Sequence, residues 1–222
     1  MKTQHFHSSR GCLSYITYDQ VSGEAALIDP SEEIGKNQYL DFLKTHNLSL
    51  TFIIETHTHA DHVSIAKEMK SATGARIIRH RLAPSSAKDI AVVGEEKLTL
   101  GKETIRVLHT PGHTNESISL YNGHEVFTGD ALLIGGTGRT DFQIGDSGSL
   151  YQSLHDVIED LPPETLVRPG HDYQGRNQAM LCDELHTNPR MMMCESEFVH
   201  MMDGYHPPKP ELFEHAIREN SQ

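Results

Sequence analysis

His57, His59, Asp61 and His62 crowd four potential metal ligands into six consecutive residues, in the order H-x-H-x-D-H. The β-branched run Leu50 to Ile54 stands directly before them, and Val63 to Met69 opens an amphipathic stretch that Gly74 ends. The cluster therefore belongs on a strand-to-helix loop, where a short backbone aims several imidazoles and a carboxylate at one point. Convergent N and O donors are what a first-row metal requires. A solvated His-rich loop is the plain alternative, and the position behind a buried strand weighs heavily against it.

Three later pieces pair a ligand type with a glycine: Pro111-Gly112-His113-Thr114, Thr128-Gly129-Asp130 and Pro169-Gly170-His171-Asp172. Glycine permits the sharp turn and close backbone approach that set a ligand at the rim of a sheet. Each piece alone reads as an ordinary turn with an exposed polar residue. Behind the first cluster they become parts of one site.

The remaining chain supplies a scaffold. Strand signals at Ser14 to Tyr18 and Ala25 to Ile28, the second broken by Pro30, suggest an antiparallel start, and residues 34 to 46 have helical spacing. From Arg76 to Gly129 the segments ARIIRH, TIRVLHT, SISLY and EVFTG read as a meander, with Asn122-Gly123 as a hairpin turn. A helix near 149 to 160, a strand at Thr165 to Val167 and further helices follow; Pro207-Pro208 marks an extended tail before a last short helix. With 222 residues and no linker or repeat, one domain over 1–222 is expected.

Composition narrows the function classes. Lys plus Arg at 19 against Asp plus Glu at 31 gives a net charge of −12, which repels phosphate backbones and anionic lipid, so neither nucleic acid nor a membrane is expected as a partner. Three Cys without a CxxC unit suit reduced thiols, and the absence of an apolar h-region or span points to a cytoplasmic protein. The outlier is 16 His, a residue that ligates metals and moves protons rather than packing.

The four motifs THTHADH, PGHT, TGD and PGHD, in this order, resemble the metallo-β-lactamase superfamily. Within it, GRTDFQ, GHDYQGR and Asn188-Pro189-Arg190 look like the persulfide dioxygenases, the likeness running over about residues 10 to 210. The resemblance implies an αββα sandwich of two mixed β-sheets flanked by helices. It implies one Fe(II) per chain on His57, His113 and Asp130, the two-His-one-carboxylate set of non-haem iron oxygenases. The substrates implied are glutathione persulfide and O2, giving sulfite and glutathione, with Arg139, Tyr173 and Arg190 at the motif positions that would hold the tripeptide. The oligomeric state stays open, a homodimer being among the arrangements allowed.

In dinuclear relatives His59 joins the first metal, and Asp61, His62 and His171 hold a second. All are retained here, which keeps a glyoxalase II-like thioester hydrolase with Zn as the alternative. Such hydrolases carry a larger C-terminal helical region, whereas 222 − 171 leaves 51 residues after His171. Other residues have competing readings. Arg139 divides evenly between a substrate contact and an ion pair with Asp141, which would then orient Arg139 or Tyr173. Cys12 reads as a buried, inert thiol, Met191 to Met193 as core filling, and Gly135 to Gly138 as backbone room beside the metal.

Overall fold

A computed structural model describes residues 1–222. The first half builds one sheet from β1 (Lys2–His7), β2 (Leu13–Tyr18), β3 (Glu24–Ile28), β4 (Ser49–Ile54), β5 (Arg76–His80) and β6 (Ile90–Val92), hydrogen-bonded in that order. The first three strands pair antiparallel and β3 to β6 pair parallel. Helices α1 (Lys36–Thr45) and α2 (Ala66–Thr73) make the β3-to-β4 and β4-to-β5 crossovers. Gly74 ends α2 in the left-handed conformation, with its N–H on the Lys70 carbonyl, as the sequence suggested.

The second sheet comprises β7 (Lys97–Leu100), β8 (Glu103–His109), β9 (Ile118–Tyr121), β10 (Glu125–Gly129), β11 (Leu166–Pro169) and β12 (Ala179–Met180). Strands β7 to β10 form the antiparallel meander, and β10 pairs parallel with β11. Its outer face carries α3 (Ser147–Gln152), continued as a wider π-type turn over Ser153–Ile158, then α4 (Leu181–Thr187) and α5 (Glu195–Asp203); α6 (Phe213–Asn220) comes last. The Asp146 carboxylate starts α3 by accepting the Ser149 N–H at 2.7 Å. No helix is long and apolar enough to cross a membrane.

One expectation is corrected. ARIIRH is not the first strand of the meander but β5, parallel to β4 in the other sheet. The helix between them forces this, because only a crossover of that length can bring a parallel neighbour alongside. The meander begins instead at β7.

Period-two alternation explains the layers. In β3, Ala26 and Ile28 face the second sheet, while Ala25 and Leu27 face α1 and α2; Ile54 and Ile53 of β4 divide the same way. Phe127 of β10 joins the inter-sheet core while Val126 packs under the outer helices with Leu150, Leu154 and Phe198. Both sheets are thus covered on both faces, which is why their central strands read as continuous apolar runs. The αββα sandwich of mixed sheets is what the motifs implied.

Candidate metal centre

Every motif ends a strand at the same edge of the sandwich. The His-rich loop leaves β4, His113 follows β8, Asp130 follows β10 and His171 follows β11. Their side chains sort into groups whose ligand atoms all lie within 4.8 Å of one another: His57, His113 and Asp130; Cys12, Asp61, His62 and His171; and Asp29, Glu55 and His59.

Hydrogen bonds fix which nitrogens of the first group are free. The Thr56 hydroxyl lies 2.7 Å from Asp29 Oδ2 and 3.0 Å from His57 Nδ1. Its single proton goes to the carboxylate, so it accepts from Nδ1–H and leaves His57 Nε2 as a lone pair. His113 Nδ1 lies 2.7 Å from the Arg139 carbonyl oxygen, which only accepts, so its Nε2 is likewise free. Burial, then the neighbouring His59 and His113, hold the His57 pKa well below that of free imidazole. Two imidazoles whose Nδ1 positions are taken up by hydrogen bonds, together with a carboxylate oxygen, fit a divalent transition metal.

Asp130 lies 3.7 Å from His113 Nε2 through Oδ2, and its Oδ1 takes the His171 Nδ1 at 2.6 Å. Burial alone would raise its pKa, but His171, His113 and His57 outweigh it and hold the carboxyl well below the usual carboxylate range. The metal-facing backbone is tight. A Cβ at Gly138 would sit 2.3 Å from the Asp130 carbonyl oxygen, and one at Gly170 would sit 2.6 Å from Asp130 Oδ1. Only glycine fits at either position.

The second group is closed on itself. Asp61 Oδ2 contacts His171 Nε2 at 2.8 Å, His62 Nδ1 at 3.1 Å and Cys12 Sγ at 3.1 Å. Burial would raise Asp61, but His171 and His62 pull it far down; burial would lower His171, but Asp130 and Asp61 lift it well above the ordinary imidazole value. Cys12, read from sequence as inert, is buried but sits inside this group. Burial raises its thiol, and contacts with His171 and His62 bring it lower overall. His59 stands apart, 3.1 Å from Asp29 Oδ1 and 3.7 Å from Glu55 Oε2 through Nε2, behind the first group rather than in it.

A cavity of about 410 Å³ opens over Asp61, His113, Asp130 and His171, with Tyr173 and Phe142 among its walls. Tyr173 is 78% exposed and nearly parallel to the His171 ring at 6.2 Å, on the wall of the cavity. Arg139 takes the ion-pair side of its two readings, and Arg190 differs from the substrate contact expected of it. Arg139 lines the cavity but spends its fork internally, Nε and Nη2 on Asp141 at 2.6 and 2.7 Å and its Nη groups on the Pro208 and Pro207 carbonyls at 2.9 and 2.8 Å. The Arg139 hydrogen bonds to its carboxylate, with one from His206, hold the Asp141 pKa down to about 2. Arg190 does not line the cavity. It donates to the Thr137 carbonyl and hydroxyl at 2.9 and 2.8 Å and lies 4.6 Å over the Tyr205 ring, which is the cavity wall.

Several residues around the centre had no clear sequence signal. Asp29 read only as a strand end before proline, Thr56 as the opening residue of THTHADH with no role assigned, and Asn220 as part of a tail helix. Asn220 Nδ2 donates to the His59 and His62 carbonyls, each at 2.8 Å, and its Oδ1 accepts the Ser64 N–H at 2.9 Å.

A family model described as the metallo-beta-lactamase superfamily matches residues 10–171. The chain is 35% identical to the mitochondrial persulfide dioxygenase ETHE1 of Bos taurus, over 98% of this chain and 86% of that one. It belongs to the metallo-beta-lactamase superfamily, on the persulfide dioxygenase branch. A crystal structure of ETHE1 from Myxococcus xanthus superposes with a TM-score of 0.96 at 37% identity, covering 100% of this chain and 98% of the other. Hydroxyacylglutathione hydrolase of Cereibacter sphaeroides is 34% identical over 80% of this chain and 71% of its own length. The Bos taurus persulfide dioxygenase thus matches this chain over a greater length than the Cereibacter sphaeroides hydrolase does.

Proposed function

We propose that the protein is an Fe(II)-dependent persulfide dioxygenase that converts glutathione persulfide, O2 and water to glutathione, sulfite and protons. His57, His113 and Asp130 are the ligands in this reading, with one iron per chain. The observation that carries it is the division of the ligands: His57, His113 and Asp130 gather their ligand atoms within 4.8 Å of one another, with His113 and Asp130 at the cavity wall, while Asp61, His62 and His171 are joined to one another and to Cys12. Ferrous iron bound there would supply a face on which a sulfur donor and dioxygen meet.

The chain's own residues do the rest. Thr56 and the Arg139 carbonyl hold the imidazoles with Nε2 exposed, so neither ring turns away when a ligand leaves. His171 holds Asp130 through one oxygen and leaves the other for the metal. Phe142, Tyr173 and Tyr205 form an apolar mouth over the centre, suited to the stem of a thiol and to limiting water at the reacting sulfur. Tyr173 is the residue best placed to touch the substrate. Arg139 and Arg190 act on it through the walls they hold, with Asp141 fixing the Arg139 fork. The unpaired thiols Cys12, Cys182 and Cys194 support a reducing, cytoplasmic setting.

Oxygen consumption by purified protein with glutathione persulfide, with sulfite and iron measured on the same sample, tests the reading. Two Zn per chain, thioester cleavage and no oxygen uptake would replace it with the dinuclear hydrolase.

A further inference from the structure

We propose that Gln143 is a positioning residue that sets the separation of the two imidazole-bearing loops. The inference rests on His57, His113 and Asp130 holding the metal, and concerns how their spacing is enforced.

Residues 139 to 146 touch both loops. At one end the Arg139 carbonyl accepts from His113 Nδ1 at 2.7 Å, and at the other the Asp146 N–H donates to the Gly112 carbonyl at 2.9 Å, one residue before His113. Between them Gln143 lines the cavity, and its Nε2 donates to the Thr58 carbonyl at 2.6 Å. Thr58 lies between His57 and His59, and its N–H is held from the other side by Glu116 Oε1 at 2.6 Å. The His57 loop is thus pinned through both polar groups of one peptide residue, and Gln143 supplies the pin that comes from the His113 side.

The backbone carries the cost of this aim. Gln143 and Ile144 take φ of 49° and 58°, a left-handed conformation at two successive non-glycine residues. The Ile144 side chain is 78% exposed, so burial of that side chain does not account for the conformation. The turn is closed by the Gly145 N–H on the Phe142 carbonyl at 2.7 Å, and a Cβ at Gly145 would fall 2.3 Å from the Thr140 carbonyl oxygen. What the strained pair gains is the direction of Gln143, which points inward to the ligand loop. Strain kept beside a ligand set without a packing return marks a functional constraint.

The test is cobalt substitution in the full chain, because visible ligand-field bands report the arrangement of donors independently of turnover. Gln143→Met keeps length and removes the donor; Gln143→Glu sets a carboxylate against the Thr58 carbonyl. Both variants should fold with wild-type circular dichroism, bind Co(II) about 10 to 100-fold more weakly, and show displaced bands. Wild-type bands and affinity in both would overturn the proposal. His57→Ala is the control and should lose cobalt; retention would overturn the ligand assignment and the proposal with it. A wild-type protein with no oxygen uptake but normal cobalt bands would sink the dioxygenase reading and leave the role of Gln143 standing.

Discussion

His171 places Nδ1 2.6 Å from Asp130 Oδ1 and Nε2 2.8 Å from Asp61 Oδ2, so one imidazole joins the carboxylates of two ligand sets. Both carboxylates line the cavity and Asp61 also closes the Cys12 group, so neither can shift without pulling on the other. Substitutions at these two carboxylates should therefore differ in size while sharing a direction.

Asp130→Ala should abolish iron binding, since it removes the only carboxylate grouped with His57 and His113. Asp61→Ala should retain most of the iron with affinity reduced about 10 to 100-fold, the usual cost of losing an outer partner. Iron content after desalting measures both. Equal loss in the two variants would mean that both groups bind metal.

Protein purified without added metal should contain about one Fe per chain and little Zn, as a two-His-one-carboxylate site favours. Elemental analysis against protein concentration decides this. Chelation should remove the iron and with it the oxygen uptake, and Fe(II) alone should restore both.

Arg190→Ala should raise KM for glutathione persulfide roughly tenfold with little change in kcat, by releasing Thr137 and the Tyr205 ring rather than a substrate carboxylate. A charge-assisted hydrogen bond and a cation–π contact of about 1 to 3 kcal/mol together support that size. Arg190→Lys should recover little, because an ammonium offers neither the fork nor the flat face. The deciding measurement is the double variant with Tyr205→Ala. Non-additive effects fit a shared wall, and additive ones would return Arg190 to direct substrate contact.

Ile144→Asn should stabilise the protein by about 1 kcal/mol, because Asn tolerates the left-handed conformation that costs a β-branched residue about 1 to 2 kcal/mol. The exposed isoleucine side chain gives up little burial in exchange. A chain of this size should gain about 2 to 4 °C in Tm. Calorimetry of the iron-loaded protein checks it, and a lower Tm would show that Ile144 is held by contacts worth more than its strain.

His80 gives a pH signature away from the metal. It is buried and stacked on His109 with ring centroids 4.4 Å apart, and its Nδ1 accepts the Leu82 N–H at 3.3 Å. Burial first, then His109, holds its pKa down to about 4 from 6.5. In that window the unfolded chain takes up a proton that the folded one refuses, so stability present above about pH 6.5 falls as the pH drops toward 4. His80→Gln should flatten this slope in urea midpoints measured at about pH 7 and about pH 5. An unchanged slope would show that other groups carry the acid sensitivity.

The motifs made the ligand edge legible because metal chemistry limits residue type and glycine limits backbone, and both constraints are local. His57, His113, Asp130 and His171 meet as their order implied. The contacts that orient them were not legible, because they join positions far apart in the chain through ordinary residues. Thr56 and Asp29 are separated by 27 positions, and Gln143 and Thr58 by 85. Arg190 misled for the same reason: an arginine beside a site looks like a substrate fork until Tyr205 is seen under it. In the fold, β5 was misplaced because a strand's sequence records that it is buried and not which sheet buries it.

Asn220 carries a consequence for what holds the histidines in place. Its side chain closes the loop that carries His57, His59 and His62 from a position 158 residues beyond His62. The loop is therefore buttoned down by α6 and not by its own neighbours in sequence, so its closure depends on that helix being docked.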